Sequence, residues 1–463
     1  MISKKKISTD LKLIYAILII FFIFAFTNSY FFSPSITVKL IGLLIFIIGS
    51  IPIINHYSKK KITIPLFHLH ILFYALVFGV SSFISPKFLS KFYFELYSVN
   101  GDFFLDNSLF LLNTFFILVA TILLLLGYLF INVFNLKNFY FDLNFLKKIP
   151  YYKIFNLSII FFLFQIIYFS SETLQNINLI KRIFEALAYF TICFFYFFVI
   201  KVNARLMIKL LIILFIFIII IINLFLTNAL MFLINSFIMM SVIFYFYKNK
   251  FPWLILFLFT LILLLNPYKH NIRHYYQVKN NTNSQYTLVD SFKDNEATNK
   301  ITSGGIRSLN SFFIFHFALS EIPKSFPYFK ENSYNSLFFF YIPRIFWPQK
   351  PESVLGRNFG KNYGFVKDKL NTTTINFPWI AELYLNYSLL GLFFGMFLFG
   401  CIMNFLTKLI SVSKKNYTQI LLGISTSGIL VFPEVSFATM LAYSLQNFFF
   451  LLFVIFIYSK INK

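Results

Sequence analysis

Charge is scarce in this chain. Only 12% of its 463 residues are Asp, Glu, Lys or Arg, about half of what a soluble domain carries. Cysteine is nearly absent: Cys193 and Cys401 both sit in apolar runs, which excludes a disulfide framework and a thiolate metal centre. Acidic residues number 16 against 40 basic ones. No Walker A loop, Gly-rich dinucleotide fingerprint or His-Glu-x-x-His motif occurs. His68 and His70 are two residues apart, on different faces of any helix, and do not make a metal pair. No metal and no cofactor are expected.

What is present is apolar: 59% of the chain is hydrophobic, with 71 Phe and 28 Tyr. That excess cannot all fit a buried core, and lipid is where the remainder goes. The runs are continuous rather than alternating, so they predict helices and not a barrel. Twelve spans are expected, near 11–32, 36–57, 64–84, 109–134, 154–171, 183–203, 208–227, 229–247, 251–268, 378–406, 418–433 and 439–459. The first is too long for a signal-peptide core and is read as a retained helix. The weakest break is at Thr227-Asn228, inside a nearly unbroken apolar stretch.

Basic residues set the orientation. With the N-terminus inside, the inner connections hold 21 of the 40 Lys and Arg residues and the short outer loops and their flanks hold five. Both termini then lie on the cytoplasmic side. The net charge of +24 is thus a topological signal facing anionic headgroups, and nucleic acid is excluded as a partner.

The expected organisation is nine helices in 1–266, a long outer loop at 267–377, and three helices in 378–463. The loop begins polar, through Ser303-Gly304-Gly305. From Arg307 on, Leu309, Phe312, Phe313, Phe317 and Leu319 predict an amphipathic helix lying on the membrane surface or on the bundle. The loop carries 14 basic and seven acidic residues, on the side where topology does not call for positive charge, and four of the six arginines are in it. The guanidinium fork suits phosphate. Arg273, Arg307, Arg344 and Lys350 are therefore the candidate cations, with Trp347 beside them. In the next span, Glu382 and Asn386 are one turn apart on one face. An acidic residue within a span is costly and marks a functional candidate. Glu382 reads either as a base or as the structural partner of a loop arginine. His316 is a second candidate for proton transfer. Glu185 and Glu434 read as local pairing partners, and His270 and His274 as surface histidines.

The stretch Ile342-Pro343-Arg344-Ile345-Phe346-Trp347-Pro348-Gln349-Lys350-Pro351, followed by Thr372-Thr373-Thr374 and by Glu382, Tyr384, Asn386 and Gly391, resembles a segment of Wzy-type O-antigen and oligosaccharide repeat-unit polymerases. Eleven residues separate Arg344 from Gly356 where one family pattern has ten, and no role is carried onto Gly356. The resemblance implies an all-helical GT-C-like membrane glycosyltransferase at the outer face of the bacterial inner membrane. It would polymerise undecaprenyl-diphosphate-linked oligosaccharide units into O-antigen, capsule or exopolysaccharide, with a chain-length regulator protein as a candidate partner. An O-antigen ligase shares this chemistry and is the first alternative. A lipid-linked oligosaccharide flippase or other transporter is the second.

Overall fold

The structure is a computed structural model. It describes residues 35–58, 66–84, 106–133, 151–171, 206–227, 310–329, 333–335, 355–363 and 377–410, with shorter stretches and single positions elsewhere. Among the described residues all regular structure is helical and no strand occurs. The helices are α1 (Ile36–Ser58), α2 (Leu66–Ser81), α3 (Asn107–Val133), α4 (Tyr151–Ser170), α5 (Leu206–Thr227), α6 (Asn310–Glu321), α7 (Leu355–Asn362) and α8 (Trp379–Ile410). Among the described residues three segments are, by length and composition, long and apolar enough to cross a membrane: Ile36–Asn55, Asn107–Ile131 and Trp379–Lys408. This is a helical, membrane-embedded chain. Helices α1 to α5 match the second to fifth and the seventh expected spans within a few residues; the residues after Thr227, which decide the expected break at Thr227-Asn228, lie outside those described. The expected spans 11–32, 251–268 and 418–433 lie outside the described residues.

By its contacts the chain falls into two compact units that cut across the linear division into helices, loop and helices. The first comprises 1–139, 306–408 and 429–444; the second comprises 140–305, 409–428 and 445–463. In the second, the face of α5 bearing Ile212, Ile216 and Ile219 packs with Ala188, Ile192 and Phe195. The Phe162 ring meets Phe195 and Phe215 edge-on. Leu206, Met207 and Leu214 on α5 are 60% or more exposed, as lipid-facing residues are.

The first unit is built on close backbone approach. Helix α1 meets α2 at Gly42, Gly49 and Gly79, where an added Cβ would run into Ser82, Ala75 and the Gly42 carbonyl. Between lipid-embedded helices no hydrophobic force drives association, so small residues that let backbones touch are what holds them. Asp106 caps α3: its carboxylate accepts the Ser108 and Leu109 amides at 2.9 and 3.2 Å and the Ser108 hydroxyl at 2.6 Å. Those bonds, the Ser108 hydroxyl first, hold its carboxyl below the usual aspartate value, as a helix N-terminus does for an anion.

Helix α8 is not one straight rod. Ser388 has φ 59° and ψ −159°, and the chain folds back there. Trp379 and Phe399 have ring centroids 5.3 Å apart, whereas twenty residues of continuous helix span about 30 Å. A Cβ on Gly395 would strike Leu383, and one on Gly391 would strike Tyr387. These three pairs are centred on residue 389, which defines an antiparallel hairpin. A short arm, α8a (379–387), lies on a long arm, α8b (389–410), and Leu390 at the tip is 83% exposed. The expected single span over 378–406 is thereby corrected. Only α8b, at about 1.5 Å per residue, is long enough to cross the hydrocarbon. An apolar run records composition, and it does not record a reversal of direction.

Helix α8b runs parallel to α3. Phe393 packs on Phe116, and Phe397 on Phe130. The Cys401 thiol donates to the Gly127 carbonyl at 3.3 Å, Asn404 donates to the Tyr128 carbonyl, and the Lys408 ammonium donates to the Ile131 carbonyl at 3.0 Å. Gly127 and Gly400 face backbone directly: a Cβ on either would collide with the Phe397 or Leu124 carbonyl.

Candidate functional site

The short arm α8a carries Glu382 and Asn386 on one face, and the segment at 333–335 closes on that face. Ser333, in the 3-10 turn Ser333–Asn335, is the residue that joins them. Its hydroxyl donates to Glu382 Oε1 at 2.9 Å and accepts from Asn386 Nδ2 at 3.0 Å. Its amide donates to Asn386 Oδ1 at 3.0 Å. Asn386 Nδ2 also donates to the Glu382 carbonyl at 2.7 Å. Every donor in this ring meets an acceptor, so the orientation of the Asn386 amide is fixed by its neighbours.

Glu382 is fully buried. Its second oxygen accepts the Phe437 amide at 2.7 Å. The Ala438 amide and the Ser436 side chain also hydrogen-bond to the carboxylate. Residues 437 and 438 are helical and 436 is not, so Glu382 occupies a helix N-terminus, where unsatisfied amides and the helix dipole favour an anion. The carboxylate thus ties together three segments distant in sequence: the turn at 333–335, α8a and the start of the helix at Phe437.

The loop is anchored at further points. The Phe329 amide donates to the Leu385 carbonyl at 3.1 Å. Tyr384 donates its hydroxyl to the Ile322 carbonyl at 2.8 Å, and Tyr363 donates to the Pro327 carbonyl at 3.1 Å. Phe359 lies 4.8 Å from Phe377 and 6.0 Å from Phe317 between ring centroids, which seats α7 against α6 and the entry to α8a. Trp379 stacks on His70 at 4.4 Å.

Helix α6 begins where the hydrophobic pattern after Arg307 points, but it is not amphipathic in its setting. All residues from Ser311 to Ser320 are buried. A helix buried all round belongs inside a bundle rather than on a membrane surface. His316 is fully buried on it, its ring 5.5 Å from that of Phe110.

The structure thus brings Glu382 and Asn386 together, through a serine that the sequence reading missed. The polar triplet Ser333-Tyr334-Asn335 between aromatic stretches was the available signal. His316 lies on α6, packed against α3. Trp347 is half-buried. Arg273, Arg307, Arg344 and Lys350 lie outside the described residues, as do Glu185, Glu434, His270 and His274. The partners of Glu382 shown here are Ser333, Ser436 and backbone amides, where the sequence reading names a loop arginine. Among the described residues no cluster of His, Cys, Asp and Glu could hold a metal ion.

Chemically, the contacts of Glu382 come from groups that donate to it. Both oxygens are engaged, so the resting arrangement is an anchor. For Glu382 to accept a proton from a substrate hydroxyl, that hydroxyl would have to take the place of Ser333.

No family model, no curated protein and no solved structure matches this chain.

Proposed function

We propose that this protein is a membrane glycosyltransferase of the outer face of the bacterial inner membrane. Its reaction extends a glycan with undecaprenyl-diphosphate-linked oligosaccharide units. The anomeric C–O bond to the lipid diphosphate breaks, an acceptor hydroxyl oxygen forms the new glycosidic bond, and the hydroxyl proton passes to a base. The departing diphosphate requires cations, since stabilisation of developing charge is usually the largest catalytic term. Arg344 supplies the first, with Lys350, Arg307 and Arg273 in support. Glu382 holds the wall of the site through Ser333 and Asn386, and serves as base if the acceptor hydroxyl replaces Ser333.

The observation that carries this reading is the Ser333–Glu382–Asn386 knot. It binds Ser333, ten residues before the Pro343-Arg344…Trp347-Pro348 stretch, to a buried carboxylate on a membrane hairpin. The test is polymerisation of labelled lipid-linked repeat units by purified protein in liposomes. Chain extension that is lost in Arg344→Ala, with membrane insertion intact, is the expected result. Normal long chains from that variant would remove Arg344 from the chemistry.

One observation favours a second reading. Broken helices with buried half-helix N-termini line the binding sites of transporters, and the α8 hairpin with the helix start at Phe437 has that form. Translocation of a labelled lipid-linked oligosaccharide in the same liposomes, without chain extension, would select the flippase.

A further inference from the structure

Asn113 is fully buried on α3, on the inward stripe that includes Phe110, Ile117 and Ala120, yet neither its Oδ1 nor its Nδ2 has a hydrogen-bond partner. Ser311, in the first turn of α6, is 1% exposed, and its hydroxyl is likewise without a partner. Buried polar groups left unmet are rare and each requires an explanation.

The register of α6 on α3 brings the two residues to the same level. Phe110 meets both Phe312 and His316, at 5.2 and 5.5 Å between ring centroids. Asp106, one turn earlier, lies within the electrostatic reach of His316. Rising numbers on α6 therefore run against falling numbers on α3, and Asn113 is level with the Ser311 end of α6. The first amides of α6 have no intrahelical acceptor, and no acidic residue lies in its first turn. Rotation of Asn113 toward Ser311 would not balance the account: an amide brings two donors and a carbonyl, and a hydroxyl meets at most two of them. The unmet Asn113 amide and Ser311 hydroxyl therefore lie level with a helix N-terminus, within two turns of the Asp106 end of α3.

We infer that the N-terminus of α6, with Asn113 and Ser311, is a binding site for a phosphate oxyanion. Donors on a positive helix end are the chemistry that recognises phosphate. The phosphate has two sources in a membrane, a polyprenyl diphosphate carrier or a bilayer phospholipid headgroup. The choice of the first rests on the glycosyltransferase reading; the site itself does not.

The experiment uses the full chain in phosphatidylcholine nanodiscs, with farnesyl diphosphate as the probe and inorganic diphosphate as competitor. A second set of nanodiscs contains phosphatidylglycerol. Asn113→Leu removes the unmet groups and keeps the volume, and Asn113→Asp keeps the shape and adds a repelling charge. The expected result is saturable binding that weakens about tenfold or more in both variants, the loss of one hydrogen bond to a charged group, with no fall in melting temperature for Asn113→Leu. Displacement by inorganic diphosphate in phosphatidylcholine assigns the site to the diphosphate. Occlusion by phosphatidylglycerol that Asn113→Leu relieves assigns it to a headgroup. Binding by Asn113→Leu equal to wild type, or no saturable binding by wild type, overturns the proposal. If wild type polymerises repeat units while Asn113→Leu binds normally, this site alone is wrong. If Asn113-dependent binding persists without polymerisation or translocation, the site stands and the enzymatic reading falls.

Discussion

Along α8b the contact with α3 depends on side chains that are missing; along α8a the contact with the turn at 333–335 depends on side chains that are present and polar. Gly127 and Gly400 let two backbones touch in the first case, and the polar groups of that seam, Asn404 and Lys408, reach carbonyls near one end of α3. In the second case Glu382, Asn386 and Ser333 interlock inside a buried space. A seam of small residues holds two helices at a fixed distance and offers nothing to a substrate. A satisfied polar knot fixes orientation, and it places a carboxylate where exchange of one partner changes its chemistry. The two arms of one hairpin thus divide the work of spanning and positioning.

The sharpest way to break this contrast is to remove the carboxylate. Glu382→Ala leaves the Ser333 hydroxyl and the Phe437 and Ala438 amides buried without their acceptor, at about 1–3 kcal/mol for each orphaned group. A fall in melting temperature of the purified protein, larger than for any other single change in the hairpin, is the expected readout. Glu382→Gln keeps one acceptor oxygen and turns the other toward donors, so its loss should be intermediate. Chain extension at the wild-type level by Glu382→Gln would exclude proton transfer as its role.

Next in size is the seam. Gly400→Val drives a branched side chain into the Leu124 carbonyl and the Tyr128 amide, and overpacking of this kind costs about 1–3 kcal/mol. Unlike the change at Glu382, it should be insensitive to whether residue 382 is Glu or Gln, because the two sites share no partner. A double-mutant cycle on melting temperatures measures that independence.

Ser388→Gly sharpens the comparison from the other direction. The backbone at Ser388 lies in a region that only glycine adopts freely, and a residue so held stores about 1–3 kcal/mol. The variant should be more thermostable than wild type. A loss of stability would show that residue 388 is not at a left-handed turn.

The smallest effect is expected outside the spans, at the α3 cap. The Asp106 carboxyl is held below its ordinary value of 3.8. Its contribution is therefore complete above that pH and is lost as pH falls through the lower folded value. Asp106→Asn should flatten the acid limb of stability below about pH 4 and leave neutral stability nearly unchanged.

Much of this architecture is legible in the residues themselves. Continuous apolar runs locate α1 to α5, and the i, i+4 spacing of Glu382 and Asn386 places both on one face. The reversal at Ser388 is not legible. Tyr387-Ser388-Leu389 carries no glycine, proline or asparagine turn signal, and lipid-compatible composition is the same for a helix that continues as for one that turns back. Nor is Ser333 legible as the partner of Glu382. The two are 49 residues apart, and the serine's role follows from where the hairpin folds. The buried setting of α6 is hidden for a related reason: its pattern shows apolar residues, and only the surrounding helices decide whether the remaining face meets water.

One disulfide reads the hairpin directly. Leu383→Cys and Gly395→Cys, introduced together after Cys193 and Cys401 are replaced by serine, lie in contact across the two arms, whereas twelve residues of straight helix would hold them about 18 Å apart, beyond the reach of a disulfide. Oxidation in native membranes should give an intramolecular 383–395 crosslink in most of the protein, identified by mass spectrometry of the digest. Free thiols at both positions under the same oxidation would show a straight helix from Trp379 to Ile410, and the hairpin with its clasped loop would be wrong.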